Sequence, residues 1–190
     1  YDLSEYTIYG HKKMKNTFQD DLSITMKGGR VYYIYGASGS GTVNGDVIVS
    51  VEGGSLQEGV TVLAGVNSQN AILEITGGEH DLYTFSVLNQ SSTIYGDVHC
   101  TIGGTAKIKK KYTWPEYYAL RYGYVKGNLY LTLGETADIS ELDLYRFYGA
   151  YQATIYGDVK VKWIGKWKAN YTYIDRKSTR LNSSHSPQSR

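Results

Sequence analysis

A chain of 190 residues with 41% hydrophobic content can build a core, and its 22 Gly and 20 Tyr against 2 Pro favour β-strands joined by tight turns over helices. No run approaches the ~20 consecutive apolar residues of a membrane-spanning helix, and no basic-then-apolar leader opens the chain. The formal charge of +2 owes its sign to residues 175–190, which carry +3; the remainder is near −1, so a pI of 8.4 is no argument for nucleic-acid binding.

In chain order, the first expected strand is YTIYG, ending at Gly10, followed by the alternating segment Asp21 to Gly29 (DLSITMKGG). The same pair recurs as YYIYG to Gly36 and DVIVSVEGG from Asp46, with a short strand TVNG leading into Asp46. A third copy runs through TVLAG to Gly65 and NAILEITGG from Asn70. TIYG then introduces DVHCTIGG from Asp97, and an aromatic insertion from Tyr112 to Tyr124 contains ALRYG, ending at Gly123. YVKG leads to NLYLTLGE from Asn128; YRFYG to Gly149 and TIYG lead to DVKVKWIG from Asp158. The six Asx positions 21, 46, 70, 97, 128 and 158 are separated by 24 to 31 residues, a regular period with insertions in the later copies.

Each copy alternates with period two: Leu22, Ile24, Met26; Val47, Val49, Val51; Ala71, Leu73, Ile75; Val98, Cys100, Ile102; Leu129, Leu131, Leu133; and Val159, Val161, Trp163. Such alternation marks strands with one buried and one exposed face. Three short strands and three turns per repeat fit one coil of a parallel β-helix, so residues 1–174 are expected to form an all-β solenoid of about six coils. At ~4.7–4.9 Å per coil this makes a rod roughly 25 to 30 Å long. The alternative is an antiparallel β-sandwich, which also places turns at short, regular intervals.

The chain starts within a running repeat and shows no capping segment at either end, so it is expected to be an internal fragment of a longer protein. Residues Asp175 to His185 (DRKSTRLNSSH) back-translate to a common short-read sequencing adapter. Residues 175–190 are accordingly expected to be a non-native, disordered tail.

The paired motifs Ile94-Tyr95-Gly96-Asp97-Val98 and Gly45-Asp46-Val47 through Gly54 resemble the repeats of large β-helical, adhesin-like surface proteins of bacteria. The resemblance implies a secreted or cell-surface location and a structural or adhesive, non-catalytic role, with glycans or host and cell-surface proteins as partners. It carries over no functional residue.

Read from the residues themselves, Asp21, Asp46, Asn70, Asp97, Asn128 and Asp158 form a structural turn ladder, since Asx side chains bond nearby backbone amides. Calcium held between its carboxylates is the other reading, and no further cofactor is expected. Tyr9, Tyr35, Tyr122 and Tyr148 precede the second-strand glycines and are expected to stack as an aromatic ladder. Tyr112, Trp114, Tyr117, Tyr118 and Tyr122, with Tyr124, are the candidate ligand surface; exposed rings there would make a carbohydrate-binding module.

Cys100 is the single cysteine and falls on the inward alternation; His11, His80 and His99 lack metal-ligand spacing. Lys107, Lys109, Lys110 and Lys111 form a basic run of the kind that usually makes a solvated strand face. A polysaccharide lyase or glycoside hydrolase on a β-helix would need clustered carboxylates, for which Asp138, Glu141 and Asp143 with Arg121 or Arg146 are the only nominees.

Overall fold

The computed structural model describes residues 1–110, 116–135, 144–164 and 169–173, and it is a parallel β-solenoid of about five turns. The first coil is β1 (Asp2–Met14), β2 (Thr17–Phe18) and β3 (Leu22–Met26); the second is β4 (Arg30–Gly39), β5 (Thr42–Val43) and β6 (Val47–Val51). The third has β7 (Ser55–Ala64) and β8 (Ala71–Ile75), with single bridges at Asn67 and Ser68 standing for the short middle strand. The fourth divides its long strand into β9 (Glu79–Leu82) and β10 (Thr84–Leu88), then adds β11 (Thr93–Ile94) and β12 (Val98–Gly103). The fifth comprises β13 (Lys107–Lys110), β14 (Glu116–Leu120), β15 (Gly123–Val125) and β16 (Leu129–Glu135). β17 (Leu144–Ala150), β18 (Ala153–Ile155) and β19 (Val159–Trp163) follow, and β20 (Ala169–Tyr173) returns to the first face.

Among the described residues every strand pairing is parallel and joins equivalent strands of successive coils. One face is the seven-stranded sheet β1-β4-β7-β10-β14-β17-β20, a second the six-stranded sheet β3-β6-β8-β12-β16-β19, and the third carries β2-β5 and β11-β15-β18. Among the described residues no helix is long and apolar enough to cross a membrane.

The core follows from the alternation. Leu22, Val47, Ala71, Val98, Leu129 and Val159 fall in one register column. Val47, Val49, Val51, Ala71, Leu73, Ile75, Val98 and Cys100 are completely buried, and Ile24, Val159 and Val161 pack against them at the two ends of the stack. The Trp163 side chain lies outside the described residues, as do residues 175–190. Opposite this sheet, glycines make room: a Cβ on Gly36 would meet Val47 and Val49 side chains at 3.0 and 3.1 Å, so the two sheets approach closely there.

One feature of the repeat differs from the expected alignment. Tyr35 pairs with Thr61, not with a residue just before Gly65, and Gly65 instead lies against the carbonyl of Gly39. With Ser38 paired to Ala64, Gly65 is the counterpart of Gly39 and not of Gly36, so it marks the corner and not the close sheet approach.

Candidate functional site

At the corner before the six-stranded sheet, the Asx residues make an uninterrupted polar ladder that runs along the stack. Asp46 N–H donates to Asp21 Oδ1 (2.8 Å), Asn70 N–H to Asp46 Oδ1 (3.2 Å), and Asp97 N–H to Asn70 Oδ1 (2.7 Å). Asn128 N–H then donates to Asp97 Oδ1 (2.7 Å), and Asp158 N–H to Asn128 Oδ1 (2.8 Å). The amides of Asn70 and Asn128 also reach back, donating from Nδ2 to Asp46 Oδ1 at 2.8 Å and Asp97 Oδ1 at 3.1 Å. From Asp46 to Asp158 each Asx carbonyl in turn accepts the N–H that follows the Asx of the preceding coil, as from Val47 to Asn70 and Val98 to Asn128. The side chains therefore join neighbouring coils instead of closing a turn within one coil.

One carboxylate oxygen of Asp21, Asp46 and Asp97 already accepts a backbone N–H, and asparagine separates the carboxylates at two of the six positions. Among the described residues no group of three or more His, Cys, Asp or Glu is placed to hold a metal ion.

The aromatic column of the seven-stranded sheet runs Tyr9, Tyr35, Thr61, Ser86, Tyr118, Tyr148. Tyr9 stacks on Tyr35 at 5.1 Å and Tyr118 on Tyr148 at 5.0 Å, so the ladder expected through Tyr122 runs through Tyr118 instead. Tyr122 lies beyond the strand, edge-on to Tyr151, with Arg121 over both the Tyr118 and Tyr122 rings. Between the two stacks, the Tyr33 ring covers the space beside Gly59, and its hydroxyl joins Thr61 Oγ1 (2.7 Å) and, through it, Ser86 Oγ (2.9 Å).

Of the candidate ligand surface, Tyr117 and Tyr118 are buried and offer no ring face to solvent. Tyr117 stacks on Phe85 at 4.9 Å, and its hydroxyl donates to the carbonyl of Leu82 (2.9 Å), where β9 gives way to β10. Tyr122 is half-buried, while Tyr112 and Trp114 lie outside the described residues, as do Lys111, Asp138, Glu141 and Asp143. Arg121 borders the tyrosine stack.

Cys100 is enclosed in the core, where burial pushes its thiol up to about 12. His80 is also buried: Nδ1 accepts Leu56 N–H (3.1 Å) and Nε2 meets the Gly77 carbonyl (2.7 Å), which fixes a neutral ring protonated on Nε2. Burial holds its pKa below the usual 6.5. His99 is on the outer face, stacked on Tyr130 at 4.7 Å, and His11 is exposed on β1. On β13, Lys107 and Lys109 are exposed to either side of buried Ile108, and Lys107 pairs with Glu79 at 2.8 Å. An open notch of about 440 Å³ beside His80 is walled by Arg30, Glu79, Asp81 and Lys109, charges of both signs.

A surface that the sequence reading only touched, through Tyr124, is the outer face of β11-β15-β18. Ile94, Val125 and Ile155 point inward and are buried. Their neighbours point out: Thr93 and Tyr95, Tyr124 and Lys126, Thr154 and Tyr156. Tyr95, Tyr124 and Tyr156 are 51%, 50% and 59% exposed. The signal was present in TIYG and YVKG, whose alternation places the Tyr or Lys outward, but a short strand of two or three residues gives the alternation little length in which to be read. No known protein family, curated protein or solved structure matches this chain.

Proposed function

We propose that the chain is a non-catalytic structural and adhesive repeat segment of a secreted or cell-surface protein. The observation that carries this reading is the Asx ladder: at six successive corners the polar groups are engaged in joining coil to coil, which suits a rod whose task is to keep its shape. The buried polar groups follow the same logic, since Thr61, Ser86 and His80 all bond between strands of neighbouring coils or across a corner. The surface location rests on the resemblance of the IYG and GDV repeats to adhesin-like β-helices, and residues 175–190 are read as foreign to the native chain. Tyr117 and Tyr118, being buried, lend no support to a carbohydrate-binding module built on their rings.

The test is a turnover assay on the full chain with polygalacturonate, alginate and neutral plant glycans, following new reducing ends and the ultraviolet absorbance of unsaturated uronates. The expected result is no product above a heat-denatured control. Sustained product release abolished by Asp143→Asn or Glu141→Gln would replace the scaffold reading with a β-helix glycan-degrading enzyme.

A further inference from the structure

We infer that the outer face of β11-β15-β18 binds an acidic polysaccharide, with successive uronic-acid units lying along successive coils. The inference deepens the adhesive half of the reading above and rests on it. Three observations lead to it.

The first is the availability of the rings. The column tyrosines cannot serve, because Tyr9 and Tyr35, or Tyr118 and Tyr148, lie face to face and cover one another. Tyr95 and Tyr124 make no ring contact with the described residues and are half exposed, and Tyr156 is more so. Exposed tyrosines present an apolar face and a polar tip, the combination that accommodates both the C–H face and the hydroxyls of a sugar.

The second is their arrangement. Thr93 pairs with Tyr124 and Tyr124 with Thr154, while the Lys126 N–H bonds the Ile94 carbonyl and the Tyr156 N–H the Val125 carbonyl. The outward residues thus form two columns, Thr93-Tyr124-Thr154 and Tyr95-Lys126-Tyr156. In this checkerboard each ring is flanked by hydroxyl or ammonium groups. Diagonal neighbours in a sheet lie ~7–8 Å apart, and coils repeat every ~4.8 Å, close to the length of one pyranose unit in an extended chain. A periodic polymer can meet such a lattice in register over three coils. Protein hot spots cluster in well-packed, fully desolvated pockets, whereas these tyrosines stand half exposed on a strand face.

The third is charge. The only formal charge among these six positions is Lys126, whose Nζ lies 4.1 Å from the centre of the Tyr156 ring. The nearest carboxylates along the chain, Asp97 and Asp158, belong to the corner ladder, and Asp97 Oδ1 already accepts the Asn128 N–H. Around that corner a second lysine, Lys160, lies over Tyr130 at 5.1 Å, so the cationic character continues onto the neighbouring face. Charge complementarity selects a carboxylated glycan over a neutral one.

Affinity electrophoresis of the full chain in gels containing polygalacturonate, or the same polymer fully methyl-esterified, tests the inference. Polygalacturonate is expected to retard the chain, less so as salt is raised, and the esterified polymer to retard it much less. Tyr124→Ala and the Tyr95→Ala/Tyr156→Ala pair should each weaken retardation about tenfold, and Lys126→Gln should weaken it for polygalacturonate alone. Tyr6→Ala, on exposed β1, should bind as the parent chain does, and circular dichroism should show every variant with the parent's β content. Absence of retardation by polygalacturonate and alginate alike overturns the inference, as does retardation that the face variants leave unchanged. Equal retardation by the esterified polymer, insensitive to Lys126→Gln, overturns the acidic class. None of these results bears on the scaffold reading, which only turnover would remove.

Discussion

His80 is a buried residue whose ionisation the fold opposes. Its Nδ1 must remain unprotonated to accept Leu56 N–H, and the buried ring has no carboxylate among its hydrogen-bond partners. Its folded pKa lies below 6.5, mainly because burial penalises the charged ring. The unfolded chain therefore takes up this proton at a higher pH than the folded chain. The stabilising contribution is full above the ordinary histidine range, falls as pH drops through about 6.5, and levels off below the lowered folded value. Urea denaturation at about pH 7.5 and about pH 5.5 should show the parent chain losing more stability on acidification than His80→Asn. The variant should also be the less stable at the higher pH, by roughly 1–3 kcal/mol, because the shorter amide can take over the Nδ1 acceptor role but leaves the Gly77 carbonyl without its Nε2–H donor. An equal pH dependence in the two chains would show that the ring titrates normally.

Among the corner elements, the glycine pair after the six-stranded sheet and the Asx ladder before it are the two devices that keep coils in register. Gly29, Gly54 and Gly78 adopt φ of +83°, +86° and +93°, and a Cβ on Gly54 would stand 2.5 Å from the Gly29 carbonyl oxygen and 2.7 Å from the Met26 Cε. Left-handed backbone and steric overlap add, so Gly54→Ala should destabilise by about 2 kcal/mol or more in thermal or urea denaturation. Gly28→Ala, with open space around its Cβ position, should change stability by less than ~0.5 kcal/mol. In the ladder, Asn70 is both acceptor and donor, lying between Asp46 and Asp97. Asn70→Ala removes both bonds and should cost about 1–3 kcal/mol. Asn70→Asp keeps the acceptor but sets four carboxylates, at 21, 46, 70 and 97, in consecutive coils, so its penalty should shrink as salt is raised. A penalty independent of salt would mean that the lost donor, and not repulsion, is responsible.

For the whole molecule, stability belongs to the stack. Among the described residues strands pair only with their counterparts about one repeat away, so each coil depends on its neighbours. β1 is mostly exposed along its length, whereas β6, β8 and β12 are enclosed by coils on both sides. Hydrogen exchange followed by mass spectrometry should find the amides of Val47–Val51 and Ala71–Ile75 the slowest and those of Asp2–Met14 among the fastest. Uniform protection across all coils would point to one cooperative unit with no fraying.

The sequence by itself determined the repeat and its inward column, because period-two apolarity with a Gly-Gly corner returning once per repeat asks for equivalent strands in register; the parallel pairing of those strands excluded the antiparallel sandwich that short, regular turns also allowed. Val47, Leu73, Cys100 and Leu129 are buried as that pattern requires. Tertiary structure decided what surrounds the strands. Only the register placed Tyr118, and not Tyr122, beside Tyr148, since the loop lengths that set it vary from coil to coil. Only the distance between coils turned the Asx side chains from turn caps into intercoil links, and only packing separated the buried Tyr117 and Tyr118 from the exposed Tyr95, Tyr124 and Tyr156. Period two tells which side of a strand a residue occupies; whether that side meets solvent depends on the neighbouring coils and on rings, such as Tyr33, that reach across from them.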